Sequence, residues 1–306
     1  MLYLRLNQDL DSLTLEAGKP YVSWDETTLA AQFRLNKKTS YAVGDIIYWN
    51  GSSLSSIAYT DWDSSLGTPE AVVIAPASHM PDGKARGVCL TGVGTDGSQS
   101  TSDVSMFYNS TNVDAGLTKY TKVPIWSNTE GSTYGSNSSG YLPSNKFTSN
   151  ICYSDSSAGY RYTDQSMIPS LYLNDGTVNE NARMTIDGGN VLTDFDGKTN
   201  TSTIINKLGS TAAAANTCNK YATDHILAGE WYLPAVGELA YLMARWNTIK
   251  AALAAVNGVA LLESYSYWSS SEGSSDGAWR LNTNGGNLGF YNKDYSLYVR
   301  AFCQLA

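Results

Sequence analysis

The chain has 306 residues, of which 42% are apolar and 16% are charged, a composition typical of a globular protein and not of a disordered one. Its net charge is -8 without any cluster of Lys and Arg, which excludes a nucleic-acid binder and disfavours attachment to an anionic membrane surface. No apolar run approaches the roughly 20 residues that span a bilayer, so membrane insertion is not expected.

The aromatic composition indicates a binding surface. The chain contains 21 Tyr and 8 Trp but only 6 Phe, among many Ser, Asn, Gly and Thr residues. Tyr and Trp provide large, stiff contact areas with a polar group, and Ser, Gly and Asn provide adaptable hydrogen bonds. The same mixture also occurs in β-proteins without a specific ligand, so composition alone leaves both interpretations open.

The first segment, residues 1–18, does not resemble a secretory leader. Its leucines are interrupted by Arg5, Asp9, Asp11 and Glu16, whereas the apolar region of a leader is continuous. We therefore expect no signal peptide here.

Residues 1–65 are predicted to form a small β-rich module for attachment or oligomerisation. Within it, residues 41–49 read as a strand that enters an Asn50-Gly51 turn, a strong hairpin signal. The small-residue stretch 64–69 suits a domain boundary, and we expect a single ligand-binding domain over residues 66–306. Its first buried strand is predicted at residues 72–75.

Residues 77–200 are rich in Ser, Gly, Asn and Thr and are expected to form long surface loops. Helical periodicity begins after them. Asn200 is predicted to cap a first helix that ends at Gly209. A second helix is predicted to begin after Ser210 or Thr211 and to extend to about residue 226.

A third helix is predicted from near Pro234, with a continuation or kink at Asn247 and an end at Asn257-Gly258. The chain then returns to β-structure, and turn residues separate four candidate strands over residues 261–269, 278–281, 287–291 and 297–302. This order of elements predicts a fold of the α+β class.

The search for catalytic or metal-binding residues finds none. His79 lies in a turn sequence and His225 near a helix end, and neither has a His, Cys or carboxylate at the spacing of metal ligands. Residues 194–200 resemble a calcium loop but lack its distal Glu, so an Asp-Gly turn is the expected structure. We predict that the protein is not an enzyme and needs no cofactor or metal.

The four cysteines are too few and too widely spaced to form a disulfide framework. We expect Cys218 and Cys303 to be buried thiols. The sequence leaves open whether any two of the four cysteines pair: Cys89, Cys152, Cys218 and Cys303.

Four sequence blocks carry a resemblance to a known family: GEWYLPAVGEL at 229–239, YWSSSE at 267–272, AW at 278–279 and YVRAF at 298–302. In this order they resemble the C-type-lectin-like domain of variable proteins of diversity-generating retroelements, and of related paralogous bacterial surface domains. Residues 71–86 are similar to the opening of such domains in gut phage proteins. The resemblance covers residues 205–306, and more weakly residues 70–205.

The resemblance implies a C-type-lectin-like fold with small twisted antiparallel sheets, two main helices and long loops. Glu238 would accept hydrogen bonds from backbone donors or pair with Arg300, and the tryptophans would be buried. The scaffold residues that the resemblance implies are Trp231, Leu233, Glu238, Trp268, Trp279 and Arg300.

The resemblance also implies a variable ligand-binding face at about residues 265–298, where exposed positions change while the scaffold stays constant. The alternative is that these are ordinary solvated strand and turn residues. The first candidates for ligand contact are Arg280, Asn282, Asn284, Asn287, Phe290, Tyr291, Asn292, Asp294 and Tyr295. The second candidates are Tyr265, Tyr267, Ser270, Glu272 and Asp276.

Two other activities of this fold are not expected here. The Glu-Pro-Asn, Gln-Pro-Asp and Trp-Asn-Asp motifs of calcium-dependent sugar-binding lectins are absent. Formylglycine-generating enzymes use a close pair of cysteines, and Cys218 and Cys303 lack that context. Such an oxidase remains one alternative, and a structural fibre or baseplate protein without its own ligand is the other.

The resulting hypothesis is a receptor-binding display protein, either on a phage tail tip at the virion surface or as an adhesin on a bacterial cell surface. Its partner would be a protein or glycan receptor on a target cell. Because several weak sites on one particle gain avidity, a homotrimer is compatible with this hypothesis.

Overall fold

The computed structural model describes residues 40–120, 191, 194–263, 265–283 and 287–305, and the backbone of short strands within 20–35 and 123–141. Cys152 and Asn284 lie outside the described residues, as do most of the loops predicted over 121–193. The side chains of the first 39 residues also lie outside them, so the role predicted for this segment stays a prediction.

The described strands are, in chain order, β1 (Pro20–Asp25), β2 (Ala30–Leu35), β3 (Ile46–Trp49), β4 (Leu54–Ile57), β5 (Thr68–Ala75), β6 (Ala85–Cys89), β7 (Gly92–Val93), β8 (Gln99–Ser100), β9 (Ser105–Phe107), β10 (Val123–Pro124), β11 (Ser136–Asn137), β12 (Ser139–Tyr141), β13 (Trp231–Tyr232), β14 (Ser266–Glu272), β15 (Gly277–Asn282), β16 (Asn287–Asn292), β17 (Ser296–Tyr298) and β18 (Phe302–Leu305). The described helices are α1 (Gly197–Leu208), α2 (Ala213–Lys220), α3 (Val236–Ala244) and α4 (Trp246–Ala255).

Two six-stranded sheets organise the described part of the chain. The first has the order β13-β18-β6-β5-β3-β4 and is antiparallel throughout. The second has the order β12-β16-β15-β14-β17-β9, and only β14 and β17 pair in parallel. The architecture is therefore α+β with antiparallel sheets and few helices, as the order of elements predicts.

The hairpin predicted around Asn50-Gly51 is present, but it does not belong to a separate module. β3 pairs with β5, and Ile46 lies opposite Val72 with both side chains fully buried in one core. The predicted boundary at residue 65 therefore falls between two strands of a single sheet. Burial of apolar side chains on both strands joins residues 46–57 to the larger domain.

The helix ends differ from the predicted caps where tertiary contacts intervene. α1 begins one turn before Asn200, because the Asn200 amide is engaged with the Asp194 carboxylate, 3.0 Å from Oδ2. Its end at Gly209 is as predicted, and this glycine has a φ of 57°. α2 begins after Ala212, not after Ser210 or Thr211, and already ends at Lys220.

The third predicted helix is two helices. The break lies at Arg245, which has a φ of -120°, and not at Asn247. α4 ends before Asn257-Gly258 as predicted, with Asn257 in the left-handed region at a φ of 54°. Within the described residues, no helix has the length and apolar character that crossing a bilayer requires.

The core consists of two groups of buried side chains, one around α3 and α4 and the other around α1 and α2. The four aromatic and aliphatic scaffold residues expected to be buried are fully inaccessible to solvent: Trp231, Leu233, Trp268 and Trp279. Trp279 belongs to the first group, and the other three belong to the second group.

Glu238 is buried in an ion pair, but its partner is not Arg300. Its Oε1 lies 2.6 Å from Nε of Arg86, and its Oε2 accepts a hydrogen bond from the backbone N–H of Ala235 at 2.9 Å. Arg300 instead pairs with Asp103 at 2.9 Å. The expectation that Glu238 accepts a backbone donor is met, and the expected pairing with Arg300 is wrong because each arginine meets a carboxylate from another element.

Replacement of Arg86 by Met tests the first of these pairs. Breaking a buried pair should lower the free energy of unfolding by about 3 kcal/mol near pH 8. Burial raises the pKa of Glu238 from 4.5 to about 7 even beside Arg86. Because the folded-state pKa is the higher one, stability from this group is present below pH 4.5 and is lost as the pH rises through 7.

Urea unfolding should therefore show a smaller loss for Arg86→Met at acidic pH, where Glu238 takes up a proton, than at alkaline pH. The double variant Arg86→Met/Glu238→Gln should lose most of this additional pH dependence. Equal losses for Arg86→Met across the pH range would contradict the assignment.

Candidate ligand-binding face

A buried ion pair holds the turn between β16 and β17. The side chain of Lys293 is fully buried, and its ammonium group forms an ion pair with Oε1 of Glu272, at the end of β14. The same ammonium donates hydrogen bonds to the carbonyl oxygens of Ser275 at 2.7 Å and Val113 at 3.0 Å. Burial lowers the pKa of Lys293, so this contact network has to compensate the cost of burying the charge.

Glu272 joins the same turn to a segment from a distant part of the sequence. Its oxygens accept hydrogen bonds from the backbone N–H groups of Ala115 at 2.9 Å and Leu117 at 3.2 Å, and Oε2 also forms an ion pair with Lys119. Residues 113–119 therefore cover this end of β14. The carboxylate is saturated with donors, which fixes three pieces of backbone relative to one another.

Two exposed tyrosines stand beside this fixed turn. Tyr291 and Tyr295 are 43% and 55% exposed, with their ring centroids 5.8 Å apart. The guanidinium of Arg280 lies 4.5 Å from the ring centroid of Tyr291 and donates a hydrogen bond to its hydroxyl at 3.2 Å. The arginine thus orients one of the rings and shields one of its surfaces.

Three polar residues border the two rings. Asp276, Asn292 and Asp294 are exposed, and a hydrogen bond of 3.1 Å from the N–H of Tyr295 to the carbonyl of Asn292 closes the turn. The backbone N–H of Lys293 donates to the carbonyl of Asp276 at 2.9 Å, and this hydrogen bond places the start of β15 beside the turn. We name as the tyrosine face the residues Asp276, Arg280, Tyr291, Asn292, Asp294 and Tyr295.

Three of the second candidates for ligand contact do not lie on the surface. Tyr267, Ser270 and Glu272 are buried, because both surfaces of β14 are covered by other elements. The hydroxyl of Tyr267 donates to the Asp103 carboxylate and accepts from the N–H of Leu262 at 2.8 Å. The expectation that these three side chains point outward is therefore wrong.

Phe290 is only partly exposed and packs inward. Its ring lies 5.3 Å from that of Trp279, centroid to centroid, in an edge-on arrangement. It also lies close beneath Gly273, where an added Cβ would come within 2.6 Å of the ring. This position supports the hairpin and does not extend the tyrosine face.

Tyr265 is 48% exposed but lies at the opposite surface of the sheet. It packs on Tyr298 at 4.9 Å between ring centroids, and Tyr298 contacts the core around α3 and α4, as Tyr267 does. Tyr291 instead lies opposite Ala278, which belongs to the other core group. Alternate strand positions point to opposite surfaces, so Tyr265 is separated from the tyrosine face.

The remaining candidates are asparagines near the end of the β15–β16 hairpin. Asn282 is partly buried, with its amide 3.3 Å from the hydroxyl oxygen of Ser266. The backbone of Asn287 pairs with that of Asn282, while its side chain lies outside the described residues. Asn284 lies outside them as well.

Lys293 and residues 113–119 were not recognised from the sequence as parts of this site. A lysine between Asn292 and Asp294 in a polar turn is indistinguishable from a solvated lysine by pattern alone. Its carboxylate partner comes from another strand, and the covering segment lies more than 150 positions away along the chain. Only the folded structure brings these groups together.

The two histidines and the loop at residues 194–200 make contacts within the protein. His79 Nδ1 lies 2.5 Å from the Tyr241 hydroxyl, and His225 Nδ1 lies 2.7 Å from Glu70 Oε1. Asp194 accepts hydrogen bonds from its own loop and from Ser271 at 2.6 Å. No group of three or more His, Cys, Asp or Glu residues suited to a metal ion occurs in the part of the chain that the structure describes.

Comparison with known proteins gives one family match, in the C-terminal part of the chain. Residues 192–302 match the family model of the Lcl C-terminal domain. The matched range contains all four described α-helices and the whole tyrosine face. This match supports the resemblance to variable proteins of diversity-generating retroelements over that part of the chain.

The other comparisons add little. A crystal structure of a fimbrial protein from Bacteroides ovatus ATCC 8483 is similar, with 15% sequence identity and a TM-score of 0.31. The similarity covers 66% of this chain and 48% of the fimbrial protein, and so low a TM-score supports no conclusion about function. A search of curated proteins finds no match.

Replacement of Lys293 by Met tests whether the turn depends on the buried pair. It should lower the free energy of unfolding by about 3 kcal/mol, because Glu272 would lose its fully buried cation and keep only Lys119, which is partly exposed and shared with Asp114. Chemical denaturation measures this loss. Lys250→Met is the matched control, because its pair with Glu263 is solvent-exposed and should contribute less than about 1 kcal/mol. A similar small effect at both positions would show that the Lys293 pair does not hold the turn.

Proposed function

We propose that this chain is a receptor-binding display protein that grips its target with the tyrosine face. The observation that carries the proposal is a pair of exposed tyrosine rings at the connection between β16 and β17, which a buried ion pair holds in place. Preorganised aromatic side chains lose little conformational freedom on binding, so most of their contact energy contributes to affinity.

The proposal includes a C-type-lectin-like fold for the domain and variation of its exposed positions. The match of residues 192–302 to the Lcl C-terminal domain supports this kind of domain. Exposed positions on a strand, such as Tyr291, are also suitable for variation, since exposed substitutions away from caps and turns usually change stability by less than about 0.5 kcal/mol. The buried Lys293 would have to remain constant within the variable segment.

The target is proposed to be a protein or glycan receptor on a cell surface. Display on a phage tail tip and display on a bacterial surface use the same chemistry, and a homotrimer would raise the avidity of either. Proteins that bind such targets need exposed contacts more than a deep cleft, and the tyrosine face provides them.

Removal of the two rings should weaken binding strongly without unfolding the protein. We expect Tyr291→Ala/Tyr295→Ala to weaken binding at least 30-fold, the equivalent of about 2 kcal/mol for a central aromatic contact. The measurement is a screen of wild type against a glycan array and a library of displayed bacterial surface proteins, followed by titration of each hit.

Tyr265→Ala is the matched control, because it removes a tyrosine of similar exposure from the opposite surface. It should leave the affinity for every hit unchanged, and thermal melts should show all variants folded. Hits that bind the double variant as tightly as wild type would refute the tyrosine face.

The oxidase alternative is disfavoured by the position of the thiols. Cys89, Cys218 and Cys303 are unpaired and fully buried within the described residues. Burial raises the pKa of all three, to about 12 for Cys89, so the reactive thiolate is scarce at neutral pH. A structural fibre protein without a ligand remains the alternative, and a screen without any hit would favour it.

Diversification of the face is testable in the DNA. If the segment is variable, the source genome should carry a reverse transcriptase gene beside a near-copy of the sequence that encodes residues 265–303. The two copies should differ at adenines, and the differences should fall on codons for exposed residues such as Tyr291, Asn292 and Asp294. Differences concentrated on the codons of Trp268 or Lys293 would contradict the assignment of constant and variable positions.

A further inference from the structure

Around the tyrosine face, the cationic groups are mostly buried and two carboxylates are exposed. Its cations point inward: Lys293 is fully buried on Glu272, and Arg280 is 7% exposed beneath the ring of Tyr291. Nearby Lys119 is bound by two carboxylates, those of Glu272 and of Asp114, the latter at 2.6 Å. Lys293 and Lys119 are therefore paired with carboxylates, and the buried guanidinium of Arg280 is hardly presented to a ligand.

The carboxylates of the face point outward. Asp276 and Asp294 are both exposed, Asp294 within the turn that ends at Tyr295 and Asp276 on the segment whose backbone is hydrogen-bonded to that turn. A hydrogen bond from the Ser274 hydroxyl at 2.7 Å lowers the pKa of Asp276, so this group is ionised at neutral pH. The chain as a whole has a net charge of -8, so no excess of positive charge elsewhere offsets the two carboxylates.

We propose that the tyrosine face binds a basic polypeptide segment. A lysine or arginine side chain would lay its aliphatic part across Tyr291 and Tyr295 and direct its cationic head to Asp276 or Asp294. Such a side chain combines apolar contact, cation–π attraction and charge pairing, which are the three interactions that this surface offers. The inference rests on the proposed function and specifies the chemistry of its ligand.

A polypeptide fits these features better than a glycan does. A neutral sugar can stack on the rings but leaves both carboxylates uncompensated, and an acidic glycan is repelled by them. Arg280 already occupies one surface of the Tyr291 ring, so a ligand meets the ring from its exposed side. A flexible basic side chain can reach both that side and the carboxylates at the border.

The test is a titration of the full chain with four probes of equal repeat number: hexalysine, hexaglutamate, the neutral chitin hexamer and the cationic chitosan hexamer. Hexalysine should bind at low salt, more weakly at high salt, and hexaglutamate should not bind. Asp276→Asn/Asp294→Asn should weaken hexalysine binding about tenfold, as expected for two exposed charge contacts combined with a cation–π contact.

Asp61→Asn/Asp224→Asn is the matched control. Both aspartates are exposed and lie outside the tyrosine face, and their replacement removes the same total charge. Hexalysine affinity should be unchanged in this variant and reduced in Tyr291→Ala/Tyr295→Ala. Equal losses in the two aspartate variants would overturn the proposal, since they would show attraction by net charge alone. Preferential binding of the chitosan hexamer, with the same dependence on Asp276 and Asp294, would overturn the polypeptide assignment.

The outcome can be separated from that of the proposed function. If hexalysine fails to bind while the screened targets still depend on Tyr291 and Tyr295, the ligand chemistry is wrong and the binding face stands. If neither the probes nor the targets depend on the two tyrosines, both proposals fail.

Discussion

The ion pair between Lys293 and Glu272 is the contact on which the geometry of the candidate site depends. It places a fully buried ammonium inside a turn whose neighbouring residues are exposed, and it shares its carboxylate with the covering segment 113–119. Burying such a pair costs desolvation free energy that only good geometry and additional hydrogen bonds offset. In return the turn has a defined position, and the rings of Tyr291 and Tyr295 extend from a rigid support.

Two other buried ion pairs connect distant elements deeper in the molecule. Arg86 with Glu238 and Arg300 with Asp103 are buried pairs that connect elements far apart in sequence. Apolar packing around α3 and α4 brings the elements together without selecting one arrangement, whereas a charge in the interior tolerates only an arrangement that supplies its partner. The variation that we propose for the exposed positions requires this property, because the surface would change while the backbone stays constant.

Sequence signals predicted turns and helix ends correctly where interactions between neighbouring residues determine the backbone conformation. The left-handed glycine at position 209 ends α1, and Asn50-Gly51 forms a hairpin turn. The C-terminal strands also lie near their predicted positions, except that the last is divided into β17 and β18. The errors arose where a distant partner decides. The boundary predicted at residue 65 was wrong because β3 pairs with β5. Ser270 was expected at the surface because the resemblance placed it in the variable segment, but elements from elsewhere in the chain cover both sides of β14.

The sequence by itself determined the α+β class, the order of the C-terminal elements and the segment that holds the candidate binding residues. These follow from residue periodicity, turn chemistry and four recognisable blocks. Only the tertiary structure decided which residues of that segment form one surface. A strand has two sides, and whether each is covered depends on elements elsewhere in the chain. For that reason Tyr291 and Tyr295 stand together at the surface, while Tyr267 and Lys293, similar in sequence context, are buried.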